Sequence, residues 1–157
     1  MPAIKKRSVK KQSLRTPKIH LQYGALPYRK SKAGGVEVLL VTSRETKRWI
    51  IPKGWPIMGL SPSKSAAQEA YEEAGVRGTI RSKPIGRYRY SKMLNKRTMA
   101  MPCRVRVFAL RVRRQGRAWP ERQQREAKWF PAAAAAEAVT ESGLKALIIA
   151  FADGRQK

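Results

Sequence analysis

A chain of 157 residues is enough for one globular domain and too short for two of ordinary size. One cysteine and one histidine exclude an intramolecular disulfide, a Cys-rich zinc site and a His-clustered metal site. Thirty-five Lys and Arg against ten Asp and Glu give a net charge of +25, which points to a polyanionic partner: nucleic acid, anionic lipid or a highly phosphorylated small molecule.

Residues 1–18 hold seven Lys and Arg and few large apolar side chains, the composition of a mobile basic arm. Residues 19–157 read as a single domain. No apolar segment follows the basic N-terminus, and no apolar run approaches the ~18 residues of a membrane span. The expectation is a soluble, cytoplasmic protein in a reducing compartment. Structure is expected to begin with a strand over His20–Tyr28 and a turn over Ser31–Gly35. Val36–Thr42 is apolar and β-branched, the mark of a buried strand. Arg48–Ile51 reads as a short strand closed by Pro52, and Lys53–Ser61 as a loop holding Gly54, Pro56 and Gly59.

The clearest helix follows. Ser61 is placed to cap it, Pro62 suits its first turn, and Gly75 suits a left-handed C-terminal cap. Thr79–Tyr90 and Cys103–Arg113 read as strands joined by a Lys/Arg-rich segment at 91–97, then Gln115–Gln124 as polar loop and Lys128–Phe130 as a short strand. Pro131–Val139 and Ser142–Ala152 read as closing helices, the second with Leu144, Leu147, Ile148 and Phe151 at helical spacing. Strands and helices alternate as in an α/β domain with one core.

Three of the ten acids fall within five positions: Glu69, Glu72 and Glu73. On a helix they span about 100° of one face, with Ala67, Ala70, Tyr71 and Ala74 expected on the core side. No Lys or Arg lies four residues away within the helix, so a cation must come from elsewhere in the fold or from solution. Oxygen ligands on a rigid element suit a hard divalent ion, Mg²⁺ or Mn²⁺.

The stretch Gly54–Val76, GWPIMGLSPSKSAAQEAYEEAGV, resembles the Nudix box, G-x5-E-x7-R-E-U-x-E-E-x-G-U with U apolar. Gly54, Glu69, Ala70, Glu72, Glu73, Gly75 and Val76 fill the pattern without a gap. Leu60 and Gln68 stand where the family has Glu and Arg, so a charged brace between loop and helix is missing. The resemblance extends over roughly residues 20–153. It implies a Nudix-like α/β/α sandwich with a mixed β-sheet, and hydrolysis of a phosphoanhydride bond. The Pro52-Lys53-Gly54 entry and the basic background are most similar to the diphosphoinositol polyphosphate and diadenosine polyphosphate hydrolases. Carried over residue by residue, the resemblance implies Glu69, Glu73 and the Gly54 carbonyl as ligands of Mg²⁺ or Mn²⁺, and Glu72 as general base.

Cations would hold the remaining phosphate charge. Lys53, Arg44 and Arg89 are the expected substrate contacts, with Arg87 and Lys92 as further candidates, and Glu126 is a candidate for an extra metal oxygen. His20 and Cys103 are expected to be structural. The expected substrate is an anionic phosphorylated small molecule. The alternatives are RNA 5′ ends cleaved by the same chemistry and a non-catalytic polyanion-binding domain.

Overall fold

The structure, a computed structural model, describes residues 18–93 and 100–155. The expected basic arm, apart from Lys18, and most of the linker at 91–97 lie outside the described residues. Eight strands form one sheet: β1 His20–Lys30, β2 Val36–Thr42, β3 Trp49–Ile50, β4 Lys53–Gly54, β5 Val76–Ile80, β6 Gly86–Met93, β7 Ala100–Gln115 and β8 Ala127–Pro131. Three helices accompany them: α1 Pro62–Ala74, α2 Ala132–Ala138 and α3 Ser142–Arg155.

The sheet runs β3-β2-β1-β7-β5, with β4 pairing β1, β6 pairing β7 and β8 pairing β2. β1 and β7 run parallel and the other pairs are antiparallel, so the sheet is mixed, as expected. Successive residues of a strand face opposite ways. Leu39, Val41, Phe108 and Leu110 therefore meet Ala66, Ala70 and Ala74 of α1 on one face. Val38, Leu40, Val105 and Val107 meet Leu144 and Ile148 of α3, and Ala135 of α2, on the other. The result is the expected α/β/α sandwich.

α1 begins and ends where its sequence signals stand. Ser61 accepts a hydrogen bond from the Lys64 amide at 3.4 Å, and Gly75 takes φ 72° while donating to the Tyr71 carbonyl. Three expectations need correction. Thr79–Tyr90 is two strands rather than one: β5 and β6 pair with different stretches of β7, separated by a segment ending in Pro84-Ile85. Proline has no amide hydrogen for a ladder, so the strand breaks there. Lys53–Gly54 is a short strand on β1 instead of loop. On α1 the core face is Ala66, Ala70 and Ala74 with Glu73, whereas Ala67 and Tyr71 are only partly buried.

Candidate active site

Gly54 meets Glu69 because β4 pairs with β1 beneath α1. A Cβ on Gly54 would collide with the Glu69 carboxylate, so glycine is what lets backbone and carboxylate approach. The intervening loop is tied down by Ser65, whose buried hydroxyl accepts from the Ile57 amide at 3.1 Å. That bond holds loop to helix where Leu60 and Gln68 supply no ion pair. Gln68 instead donates to Glu72 at 2.8 Å, and Leu60 is 39% exposed.

Glu73 is 4% exposed, and its Oε1 has no hydrogen-bond partner. Its Oε2 lies 3.6 Å from Arg125 Nη2. Arg125 is anchored by Glu121 at 2.7 Å and donates to the Thr42 carbonyl at 3.1 Å. Burial pushes the Glu73 carboxyl up to about 8, although Arg125 and Lys53 oppose the rise. Burial, and secondarily the Glu72 charge, also raise Glu69, against the opposing contact with the Glu73 carboxyl. Lys53 moves the other way, down to about 8, because burial outweighs the attraction of Glu73. The fold thus crowds two carboxyls and an amine into a region of poor solvation.

These features match a divalent cation. Carboxylate oxygens are the donor class such ions take, one of them is buried without a partner, and the Gly54 backbone lies against the Glu69 carboxylate. Among the described residues, no group of three or more His, Cys, Asp and Glu side chains is gathered at one point. Glu69 and Glu73 converge, while Glu72 is engaged by Gln68.

A cavity of about 510 Å³ opens beside Glu73, lined by Ser43, Arg44, Glu45, Ile50, Lys53, Lys92 and Arg125. A smaller hollow shares Lys53 and Lys92 and adds Arg48 and Tyr90. Lys53 Nζ sits 4.7 Å above the Tyr90 ring, and Tyr90 donates to Gln22 at 2.6 Å. Arg48 is paired with Glu141 beside the first turn of α3. Lys53, Arg44 and Lys92 therefore gather around one cavity beside Glu73. Arg89 and Arg87 do not line this cavity: they project from the other face of β6, opposite Arg104 and Arg106. Glu126 is bound through its backbone to Thr42, and it is the neighbouring Arg125 that reaches Glu73. A larger hollow of about 740 Å³ under the β1–β2 turn has only Glu37 as a carboxylate, and Arg29 already binds it.

Arg125, Ser65 and Glu141 are the residues that sequence reasoning missed. Arg125 is one of 35 cations, and nothing in its neighbours sets it apart. Ser65 is one of three serines crowding the helix start, with the cap signal on Ser61.

Comparison with known proteins agrees with this fold. Among solved structures, a C. elegans Ap4A hydrolase binary complex superposes with TM-score 0.64 at 20% identity, covering 88% of this chain and 98% of that one. The NUDIX domain of Shewanella oneidensis NrtR, complexed with ADP ribose, gives 0.65 at 15% identity over 96% of this chain and 100% of that one. At these identities the likeness is one of fold. Nudix hydrolase 21, chloroplastic, of Arabidopsis thaliana is 33% identical over 82% of this chain and 64% of its own length. Nudix hydrolase 12, mitochondrial, from the same plant is 35% identical over 68% of this chain and 60% of its own. The chain thus spans a little under two thirds of the length of these two relatives. The NUDIX domain profile covers residues 18–150, which includes every site residue described above, and the chain belongs to the Nudix family.

Proposed function

We propose that this chain hydrolyses a phosphoanhydride bond in a compact, highly phosphorylated small molecule, of the diphosphoinositol polyphosphate or dinucleoside polyphosphate type. The observation that carries the reading is Glu73: a buried carboxylate with an unpartnered oxygen, next to Glu69 and Gly54, at the wall of a cavity rich in cations. Glu69, Glu73 and the Gly54 carbonyl would hold Mg²⁺ or Mn²⁺, which, when bound, neutralises phosphate oxygens and lowers the pKa of water.

The chain's own groups divide the remaining work. Glu72 Oε2 is held by the Gln68 amide, which leaves Oε1 to take a proton from the attacking water. Arg44, Lys53 and Lys92 line the cavity and bind the phosphate oxygens that are not displaced. Arg125, fixed between Glu121 and Thr42, holds Glu73 in place and keeps positive charge near it. An entering polyphosphate also favours the charged form of Lys53, whose pKa burial has lowered to about 8. The cavity volume falls in the range of small-molecule sites and is lined by charge more than by apolar surface.

The test is a hydrolysis screen with Mg²⁺ or Mn²⁺ across diphosphoinositol polyphosphates, dinucleoside polyphosphates, nucleotide sugars and triphosphorylated RNA, reading released phosphate and products. Turnover of a compact polyphosphate that Glu73→Gln removes is expected. Turnover of triphosphorylated RNA alone, or activity indifferent to Glu73→Gln, contradicts the proposal.

A further inference from the structure

The sheet face that carries α1 is not covered across its full width. Past the helix, strand register sets Tyr23, Arg106 and Arg87 side by side in one row across β1, β7 and β6. The next row holds Leu21, Arg104 and Arg89. Arg87, Arg89 and Arg106 are exposed, and Arg104 is partly buried. The first row abuts Gly54, which pairs with Tyr23, and Trp55, next in the chain, is 42% exposed.

This arrangement opposes arginine to arginine twice, Arg87 to Arg106 and Arg89 to Arg104. Like charges directly opposite on neighbouring strands destabilise a sheet. No ion pair among the described residues reaches any of the four. Residues outside the described range contain no Asp or Glu that could do so. Charge on an edge strand discourages edge-to-edge aggregation, and that accounts for Arg87 and Arg89 on β6. It does not account for Arg104 and Arg106, because there β7 is flanked by β1 on one side and β6 on the other.

We propose that this arginine ladder is a docking surface for single-stranded nucleic acid. Strands lie about 4.8 Å apart, and same-face residues of one strand about 7 Å apart. Four guanidinium groups on such a grid suit successive phosphates of one strand, and each presents a planar fork of donors. Tyr23 beside Arg106 adds an aromatic face, and an aromatic-plus-arginine platform on a sheet is how single strands are held without sequence readout. The surface does not depend on the hydrolytic reading, because none of its arginines lines the cavity beside Glu73.

The test uses the full chain and a fluorescently labelled oligouridine RNA of about 12 nucleotides, with Kd measured by anisotropy over a salt series. For R87Q/R89Q/R104Q/R106Q, Kd is expected to rise at least about tenfold and the salt slope to fall by about 3, since each lost single-strand phosphate contact removes about 0.7. A control, K30Q/K32Q/R81Q/K83Q, removes equal charge elsewhere and is expected to shift Kd less than about threefold. The melting temperature of the ladder variant is expected to hold or rise, because repulsion is relieved. If the fourfold variant fails to fold, R87Q/R89Q on the edge strand alone is expected to lower the slope by about 1.4. Equal losses in the ladder and control variants, or an unchanged salt slope, overturn the proposal. So does a ladder variant that keeps RNA binding while losing phosphatidylserine vesicles.

Discussion

At Glu73 the helix buries a carboxylate beside one arginine and leaves its Oε1 without a partner. Replacing it with glutamine keeps the shape and removes the charge. Turnover in Glu73→Gln is expected to fall by roughly two orders of magnitude or more, since even outer supports of a metal site are worth 10–100-fold. Circular dichroism should show the fold retained. Gly54→Ala probes the same point from the backbone. The added Cβ has to push aside the Glu69 carboxylate, the free end of a flexible side chain, so activity is expected to collapse while the melting temperature changes little. The carboxyl's raised pKa sets a pH dependence. Folding lifts Glu73 from 4.5 to about 8, so its contribution to stability is full below about 4.5 and is lost as pH rises through about 8. Divalent cations need the ionised form, and below pH 8 their affinity drops by up to about tenfold per unit. The rise in melting temperature with saturable Mg²⁺ or Mn²⁺ is therefore expected to grow from pH 6 to pH 9 in scanning fluorimetry. A shift that is flat with pH contradicts ligation by this residue.

At the scale of elements, α1 was legible because its instructions are local: the Ser61 cap, Pro62 in the first turn and Gly75 at the end act within a turn or two of where they stand. Gly75 answers to a distant partner as well. Its φ of 72° favours glycine, and a Cβ there would strike the Trp119 ring, which closes over the helix end. Gly75→Ala is expected to cost more than about 1 kcal/mol in urea denaturation. A loss of only a few tenths would mean that the 116–124 loop moves freely. The β5–β6 division carries one local mark, Pro84, but the apolar pattern does not show that both strands share one long partner, β7.

Across the whole molecule, 35 cations answer ten acids, and four ion pairs occur among the described residues. The surplus steers anions. For a compact polyphosphate, kcat/KM is expected to fall as salt rises, because screening weakens long-range capture, while kcat changes far less. Steady-state kinetics in rising KCl measure both, and a kcat/KM independent of salt removes steering from the account.

The sequence by itself determined the family, the carboxylate-bearing helix and the register of Glu69, Glu72 and Glu73, since these rest on spacing along one continuous segment. Tertiary structure alone decided which of the many cations lie around the cavity beside Glu73. Lys53 and Arg44 fall at the cavity, Arg89 projects from the face of β6 away from Tyr90 and Lys92, and Arg125 arrives from a loop 52 positions beyond Glu73. The physical reason is that a side chain's face on a strand depends on a register of period two, set by pairing with strands far away in the chain. One arginine among many carries no local mark of which face that pairing will give it.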